Sequence, residues 1–179
     1  SVIEEAMDVM KKWWVIPELS FVSQFYNETF YLKGFEEKGN LHDFKDYDHI
    51  LFSFHGLPER HVDKVYKDGL CKDNDCEHGI NDENVFCYKA TCYETAIQLA
   101  KRFKLNEEDY TVGFQSRLGR GWVEPFSDEI IVDLAKKGAK KLLVFSPAFV
   151  ADCLETIIEI GDEYQELFEE HGGEKAVSY

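Results

Sequence analysis

Long apolar runs are missing from this sequence: its 179 residues contain no stretch of about 18 consecutive apolar residues, the length of a membrane-spanning helix. Basic residues are also scarce, because 20 Lys and Arg stand against 35 Asp and Glu and give a formal charge of −15. Such a charge opposes binding to nucleic acid and to anionic lipid. The first residues are acidic where a secretory signal would be basic and then apolar. We expect a soluble, cytoplasmic chain that attracts cations and binds no nucleic acid.

Three common enzyme motifs are absent as well. The sequence has no phosphate-binding glycine loop, no serine nucleophile elbow and no His-Glu-x-x-His zinc helix, so the enzyme classes that depend on them are excluded. Apolar side chains make up 44% of the sequence and aromatic ones 15%, enough for one hydrophobic core in a chain of this length. We expect a single domain over residues 1–179.

Short apolar runs alternate with segments of helical spacing along the chain. Strands are predicted over residues 15–22, 49–54, 110–115 and 141–146. Helices are predicted over residues 27–38, 88–103, 128–137 and 151–171, the third with Ser127 as N-cap and the fourth ending at Gly172 and Gly173. The alternation predicts an α/β fold, with a parallel sheet of about four strands flanked by helices. Ligand sites of such sheets lie just beyond the carboxyl ends of the strands.

A histidine stands where the second predicted strand ends. Residues 51–58 read Leu-Phe-Ser-Phe-His-Gly-Leu-Pro, so His55 follows the strand and Gly56 and Pro58 shape the turn behind it. Imidazole changes its charge near neutral pH, and the end of a parallel strand is a usual place for a working side chain. His55 is therefore a candidate catalytic residue. The alternative is a histidine that only bonds to the backbone of the turn.

Acidic residues recur every four positions in the last predicted helix. Glu155, Glu159 and Glu163 are spaced i, i+4 and i+8, which places all three on one face of a helix. We call these three residues the acidic ladder. Like charges at this spacing repel unless a cation lies between them, and carboxylate oxygens suit Fe²⁺ or Mg²⁺. The ladder indicates either a path for a hydrated divalent cation or the solvated face of a surface helix.

A loop interrupted by glycines follows the third predicted strand. It contains Arg117, Arg120 and Trp122. An indole can stack on a flat ring, and a guanidinium group can bind the carboxylates of such a ring. The loop therefore either binds a planar acidic ligand or has a structural role alone.

Four of the five cysteines lie within 22 residues. Cys71 and Cys76 form one pair, Cys87 and Cys92 form another, and Cys153 lies apart. Four thiolates suffice for a [2Fe–2S] cluster or a tetrahedral Zn²⁺ ion, and in an intracellular chain this grouping favours metal over disulfides. Reduced thiols that bind nothing are the alternative. We treat residues 66–92 as a cysteine-rich insertion.

Three of these segments, in this order, resemble the ferrochelatases. They are residues 51–58, quoted above, residues 115–125, with Gln-Ser-Arg-Leu-Gly and Trp-x-x-Pro, and residues 146–156, with Ser-Pro-Ala-Phe-x-x-Asp-x-x-Glu-Thr. The resemblance covers nearly the whole chain. It implies a chelatase-like, Rossmann-type lobe, one of two similar lobes that hold the porphyrin, in a lyase that inserts ferrous iron into protoporphyrin IX during haem biosynthesis. A peripheral association with a membrane is compatible with it, and the oligomeric state stays open.

The resemblance also implies roles for individual residues. His55 and Glu155 take the positions of the catalytic pair, which binds the incoming metal and accepts protons from the pyrrole nitrogens. The metal ligands and metal path would be His55, Glu155, Asp152, Glu159 and Glu163. The porphyrin would contact Trp122, Ser53 and Arg117. The four clustered cysteines resemble the internal [2Fe–2S] ligands of some bacterial members: Cys71, Cys76, Cys87 and Cys92.

Two departures from the family pattern bear on function. Cys153 stands where many relatives carry a histidine near the metal, so the inner metal site would differ. Relatives also carry a preceding lobe, and a last strand and helix beyond the position of Tyr179, so we expect an incomplete chain without activity of its own. Two other functions stay open, namely a non-catalytic module that binds an iron–sulfur cluster or zinc, and a cobalt chelatase of the same fold.

Overall fold

The computed structural model describes residues 2–178, which are organised around a sheet of four parallel strands in the order β2-β1-β3-β4. The strands are β1 (His49–His55), β2 (Tyr110–Gln115), β3 (Lys141–Phe145) and β4 (Lys175–Ser178). Strand β1 is central, and its last residue, His55, pairs in register with Gln115 at the end of β2. The predicted α/β class and the parallel sheet are confirmed.

Helices connect and cover the strands. They are α1 (Val2–Met10), α2 (Thr29–Gly39), α3 (Glu59–Val62), α4 (Tyr88–Phe103), α5 (Ser127–Lys136) and α6 (Tyr164–Glu170), and a π-helix (Glu155–Glu163) runs directly into α6. Short 3₁₀ turns occur at Phe44–Asp46, Asp63–Val65, Cys71–Asp73 and Glu107–Asp109. Among residues 2–178, no helix has both the length and the apolar character needed to cross a membrane.

Both faces of the sheet are buried, which explains why its central strands read as nearly continuous apolar runs. Alternate side chains of β1 enter two separate clusters. One lies on the side of α2 and α4 and includes Phe52, Phe54, Phe114, Phe145 and Leu99. The other lies on the side of α5 and α6 and includes Leu51, Val144, Ile131, Ile160 and Phe168.

The prediction of a strand over residues 15–22 is wrong. This segment is irregular in the structure, and its side chains are exposed, with Val15 at 81% and Val22 at 79% of full exposure. Apolar composition favours a strand only where a neighbouring strand supplies hydrogen bonds, and Pro17 in the middle of the run lacks an amide donor. The sheet instead gains its fourth strand from residues near the carboxyl end of the chain.

The end of the chain differs from prediction in two ways. The last helix begins at Glu155 rather than at residue 151, and its first nine residues are π-helical rather than α-helical. A strand that was not predicted lies at Lys175–Ser178 and pairs with β3. This strand is only four residues long, too short for a clear alternating pattern.

Candidate active site

His55 lies at the carboxyl edge of the sheet in a defined tautomer. Its Nδ1 atom is 2.6 Å from the carbonyl oxygen of Gly56. A carbonyl oxygen only accepts hydrogen bonds, so Nδ1 carries the hydrogen and Nε2 of the neutral ring has a free lone pair. The ring packs against Phe149 with centroids 5.9 Å apart, and the hydroxyl of Tyr88 donates to the carbonyl oxygen of His55 at 2.7 Å. The turn thus fixes the imidazole and leaves one nitrogen for a proton or a metal.

Glu155 lies within electrostatic reach of His55. The pKa of Glu155 is lowered first by its own backbone N–H and next by a hydrogen bond from the side chain of Cys153. When the His55 ring is protonated, its positive charge lowers the pKa of Glu155 further. The two residues are thus close enough to interact electrostatically, although they are a hundred positions apart in the sequence, and their roles as a catalytic pair stay a prediction.

A buried chain of hydrogen bonds lies beneath this pair. Ser53 donates to Oε1 of Gln115 at 2.8 Å, and its oxygen is 2.7 Å from the hydroxyl of Ser127. Because the single proton of Ser53 is used, Ser127 must be the donor to Ser53. The amide nitrogen of Gln115 in turn faces the carbonyl oxygen of Glu155 at 3.5 Å. Consecutive hydrogen bonds polarise one another, so this chain ties the first turn of the π-helix to the sheet.

The burial of Ser53 corrects one expectation. Ser53 has no exposed surface, so its predicted contact with a porphyrin has no accessible atom to make it. Ser127 was expected to cap α5, but Phe126 holds the N-cap position and the Ser127 side chain points into the same buried chain. Both serines lie beneath the site and support it from inside.

The acidic ladder does not form a uniform row of free carboxylates. Glu159 receives hydrogen bonds from the backbone N–H of Ser116 at 2.8 Å and from the Ser116 hydroxyl at 2.5 Å. The hydroxyl of Tyr164 adds a third bond to Glu159 at 3.3 Å. Glu163 is exposed and lines a cavity of about 340 Å³ together with Glu159. One member thus faces His55, one fastens the helix, and one borders a cavity.

Arg117 has protein partners for its charge. Its guanidinium group forms ion pairs with Asp128 at 2.7 Å and with Glu129 at 2.9 Å, and it lies 3.9 Å from the ring centroid of Phe126. These contacts hold the loop after β2 against the start of α5. Binding of Arg117 to a ring carboxylate, which we predict from the resemblance, would compete with both ion pairs.

Trp122 lies beside the turn that carries His55. Its backbone bridges to Pro58, and its indole ring closes on Gly56, where an added Cβ would lie 3.2 Å from a ring carbon. The same Cβ would lie 2.8 Å from the carbonyl oxygen of Gln115, so only glycine fits between β2 and the indole. Trp122 is half-exposed and therefore can present part of its ring to a ligand near His55.

A cavity of about 580 Å³ opens between α2 and the segment that follows β3. Asp152 and Phe149 both line it, together with Phe30 and Tyr31 from α2. Phe149 also packs on His55, so the cavity and the catalytic pair are neighbours. The predicted metal-path residue Asp152 is exposed on the wall of this cavity.

The structure brings together three of the four clustered cysteines. The sulfur atoms of Cys71, Cys76 and Cys87 lie 3.5 to 3.8 Å from one another, and all three side chains are buried. Cys92 lies outside this group, fully buried on α4 beside the side chain of Tyr88. Three of the four predicted thiol ligands are therefore assembled in one group, and the bound metal or cluster stays a prediction.

Some residues of the site were not predicted from the sequence. Phe149, Gln115 and Tyr88 contact or hold the catalytic pair, and Ser116 anchors Glu159. Gln115 and Ser116 follow directly from β2, so their position at a strand end was a usable signal. Phe149 and Tyr88 gave no such signal because aromatic residues near strand ends are more often part of a core.

This arrangement defines a class: an α/β lobe with a histidine at the carboxyl edge of its sheet and a glutamate within electrostatic reach of it. Comparison with known proteins agrees. The profile of the ferrochelatase family matches residues 1–179. The chain is 44% identical over 181 residues to a ferrochelatase of Pseudomonas fluorescens, 43% identical over 180 residues to one of Pseudomonas syringae and 42% identical over 178 residues to one of Legionella pneumophila.

Each of these alignments covers 99% of this chain and 53% of the relative. The chain therefore spans about half the length of the curated relatives that it matches. The chain belongs to the ferrochelatase family.

Proposed function

We propose that this chain provides the metal-binding lobe of a protoporphyrin ferrochelatase, a lyase that inserts ferrous iron into protoporphyrin IX to form haem. The observation that carries the proposal is that Glu155 lies within electrostatic reach of His55, which ends β1 at the carboxyl edge of the sheet. Family membership supports the same reading. A base and a carboxylate at one site suit metal insertion into a porphyrin, which removes protons and attracts a cation.

Metal insertion breaks two pyrrole N–H bonds while bonds form between Fe²⁺ and the ring nitrogens, so two protons must leave the ring. Nε2 of His55 has the free lone pair that accepts a proton, because Nδ1–H is bonded to the carbonyl oxygen of Gly56. The lowered pKa of Glu155 keeps this carboxylate ionised, and an ionised carboxylate attracts Fe²⁺. His55 passes the first proton to solvent and then accepts the second in the same way. Both protons thus pass to solvent.

Iron would reach the pair along the acidic residues. Glu163 borders one cavity and Asp152 another, and both are exposed. Hard oxygen ligands hold a hydrated Fe²⁺ ion weakly, which suits transfer better than storage. Glu159 is less available, because its oxygens bond to Ser116 and Tyr164.

The porphyrin would lie over the turn at His55, with the indole of Trp122 as one wall and the cavity beside Phe149 next to it. Ring binding that bends the macrocycle would expose its nitrogen lone pairs to iron, with the strain supplied by binding energy from the rest of the ring. Arg117 could meet a ring carboxylate only if it gave up an ion pair with Asp128 or Glu129.

We further propose that this chain needs a second lobe for activity. Large apolar side chains between residues 13 and 30 are exposed, including Trp13, Trp14, Phe21 and Phe30. They would be covered by another lobe or, for a peripheral protein, by a membrane. The five free cysteines suit a reducing compartment and support a cytoplasmic location.

Iron or zinc insertion into protoporphyrin, followed by absorbance, tests the proposal. The samples are the complete polypeptide, its His55→Ala and Glu155→Gln variants, and the 179-residue chain. We expect the complete protein to be active and each variant to lose about 100-fold or more of the rate, as for removal of an acid–base group. The matched control is His61→Ala, an exposed histidine six residues away, which should retain activity. Failure of the complete protein to metallate any porphyrin would overturn the proposal.

Two other functions are separated by the same assay. A cobalt chelatase would prefer cobalt and a sirohydrochlorin-type ring, so a panel of metals and rings, including coproporphyrin, decides between them. A module that only binds metal through its cysteines would metallate no ring and would lose its folded structure with a chelator. The convergence of three thiols is the observation that favours the metal-binding module.

A further inference from the structure

The three converging thiols have the spacing of a single tetrahedral metal site. Cys71 and Cys76 sulfurs are 3.8 Å apart, Cys71 and Cys87 sulfurs 3.5 Å, and Cys76 and Cys87 sulfurs 3.6 Å. With Zn–S bonds of about 2.3 Å, tetrahedral geometry places sulfur atoms about 3.8 Å apart. One ion can therefore bond to all three sulfurs with little movement of the chain.

A two-iron cluster requires a different spacing. In a [2Fe–2S] cluster with four cysteine ligands, each iron carries its own pair of thiolates. Sulfur atoms bound to different irons are farther apart than sulfur atoms bound to the same iron, because the distance between the irons separates them. Three sulfur atoms in mutual contact therefore cannot all be ligands of such a cluster. Cys92, the fourth cysteine predicted, is fully buried on α4 beside Tyr88 and lies outside the group.

An oxygen lies beside the three sulfurs. The hydroxyl of Tyr66 is 3.1 Å from the sulfur of Cys76 and lies near that of Cys87. A tetrahedral ion held by three thiolates needs a fourth donor. The Tyr66 oxygen is the side-chain group in place to supply it.

The surroundings of the thiols suit an anionic site. Cys87 is the N-cap of α4, so its thiol lies next to the free backbone amides of the first helical turn, including that of Ala90. Amides at a helix N-terminus stabilise negative charge. The backbone N–H of Cys71 is held by the carboxylate of Asp63 at 2.8 Å, which fixes the other side of the group. Thus both halves of the thiol set are positioned by backbone contacts.

One of the three thiol residues borders a cavity. Cys71 lines a cavity of about 220 Å³ that also includes Lys72 and Lys89. Lys89 is paired with Glu77 at 2.6 Å, so its positive charge is countered close to this cavity.

We propose that Cys71, Cys76 and Cys87 bind one Zn²⁺ ion, with the Tyr66 hydroxyl at its fourth position and Cys92 outside the ligand set. The ion fastens the cysteine-rich insertion to the first turn of α4. Tyr88, next to Cys87, donates to the carbonyl oxygen of His55, so the site also steadies the turn that carries His55. The inference concerns a resident ion and does not depend on the reaction with a porphyrin.

Metal content tests the inference on the complete polypeptide, purified from medium that contains both zinc and iron. We expect one zinc per chain and no acid-labile sulfide. Cys71→Ser, Cys76→Ser and Cys87→Ser should each lose the zinc, whereas Cys92→Ala, the matched control, should keep it. Tyr66→Phe should weaken zinc binding by about 10- to 100-fold, as for loss of a supporting contact at a metal.

Titration of the unaltered, metal-free protein with Co²⁺ covers the case in which the cysteine variants do not fold. A single tetrahedral thiolate site gives intense visible bands and strong sulfur-to-cobalt absorption that saturate at one Co²⁺ per chain. Two irons and two sulfides per chain, with loss of both in Cys92→Ala, would show a four-thiolate cluster and overturn the inference. Absence of bound metal together with no Co²⁺ bands would overturn it equally.

Discussion

Ser116 donates both its backbone N–H and its hydroxyl to the two carboxylate oxygens of Glu159, at 2.8 and 2.5 Å. Ser116 has a φ of +62°, a conformation that residues with a side chain seldom adopt. The loop after β2 is therefore turned so that its donors face the π-helix. Charge-assisted hydrogen bonds of this kind are stronger than neutral ones, so this contact is a principal link between the helix and the sheet.

Loss of the Ser116 hydroxyl should loosen this link. We expect Ser116→Ala to lower the free energy of unfolding by about 1.5–3 kcal/mol, the usual contribution of a hydrogen bond to a charged group. Urea denaturation followed by circular dichroism measures the change. Ser23→Ala, at an exposed position in the irregular segment before α2, should stay within about 0.5 kcal/mol of the unaltered protein. If the two variants behave alike, Glu159 is not held by Ser116 in solution.

A methyl group at Gly56 should disturb the site directly. The added Cβ would lie 2.8 Å from the backbone oxygen of Gln115, so the turn or β2 must move. We expect Gly56→Ala to destabilise the protein by about 1–3 kcal/mol, as for other overpacked positions, and to lower metal insertion. Gly34→Ala should instead stabilise the protein. The added Cβ meets nothing within 4 Å, and in the middle of a helix such as α2 alanine is favoured over glycine by about 0.5–1 kcal/mol. Equal melting temperatures for the two variants would contradict the tight turn at Gly56.

Ser53→Ala tests the buried chain of hydrogen bonds. The variant leaves the side-chain oxygen of Gln115 without its donor, at a cost of about 1–3 kcal/mol for a buried polar group. Because Gln115 also faces the carbonyl oxygen of Glu155, we expect kcat for metal insertion to fall as well. Thr95→Ala is the control, since Thr95 is buried and hydrogen-bonded within α4, away from the site. That variant should lose stability and keep kcat, and a similar loss of kcat in both would argue against a specific role of the chain.

Stability should depend on pH through His49. Burial lowers the pKa of His49. The attraction of Asp109 opposes this shift, and a smaller repulsion from Lys137 adds to it. As the pH falls below about 6.5, His49 is therefore protonated in the unfolded state before it is protonated in the folded state. The stability that is present above that pH is progressively lost. The midpoint of urea unfolding should fall between pH 7 and pH 5.5 more in the unaltered protein than in His49→Gln. Parallel curves would show that His49 does not contribute.

The sequence was most informative where one physical requirement controlled the pattern. Buried parallel strands need apolar residues on both faces, so three strands were predicted within a residue of their bounds, and α4 was predicted to the residue. The placement of His55 at a strand end followed from the same reasoning, and the structure confirms that it lies at the carboxyl edge of the sheet.

Other features depend on contacts that no local pattern encodes. Residues 15–22 have strand-like composition, but no neighbour in the described part of the chain pairs with them. The spacing of the cysteines did not distinguish Cys92 from the rest, because spacing alone does not show which thiols meet in the folded chain. The intramolecular ion pairs of Arg117 likewise arise from the folding of the loop onto α5.

The register of the parallel sheet also determines whether the folded chain can work. His55 lies opposite Gln115 because Ile50 pairs with Tyr110 five residues earlier. A slip of one residue in β1 would turn its side chains to the opposite face, so the imidazole would point toward α4 and away from Glu155. Such a chain could retain its helices and most of its apolar burial and still be inert. Correct strand alignment during folding, more than overall compaction, is thus the step on which a competent site depends.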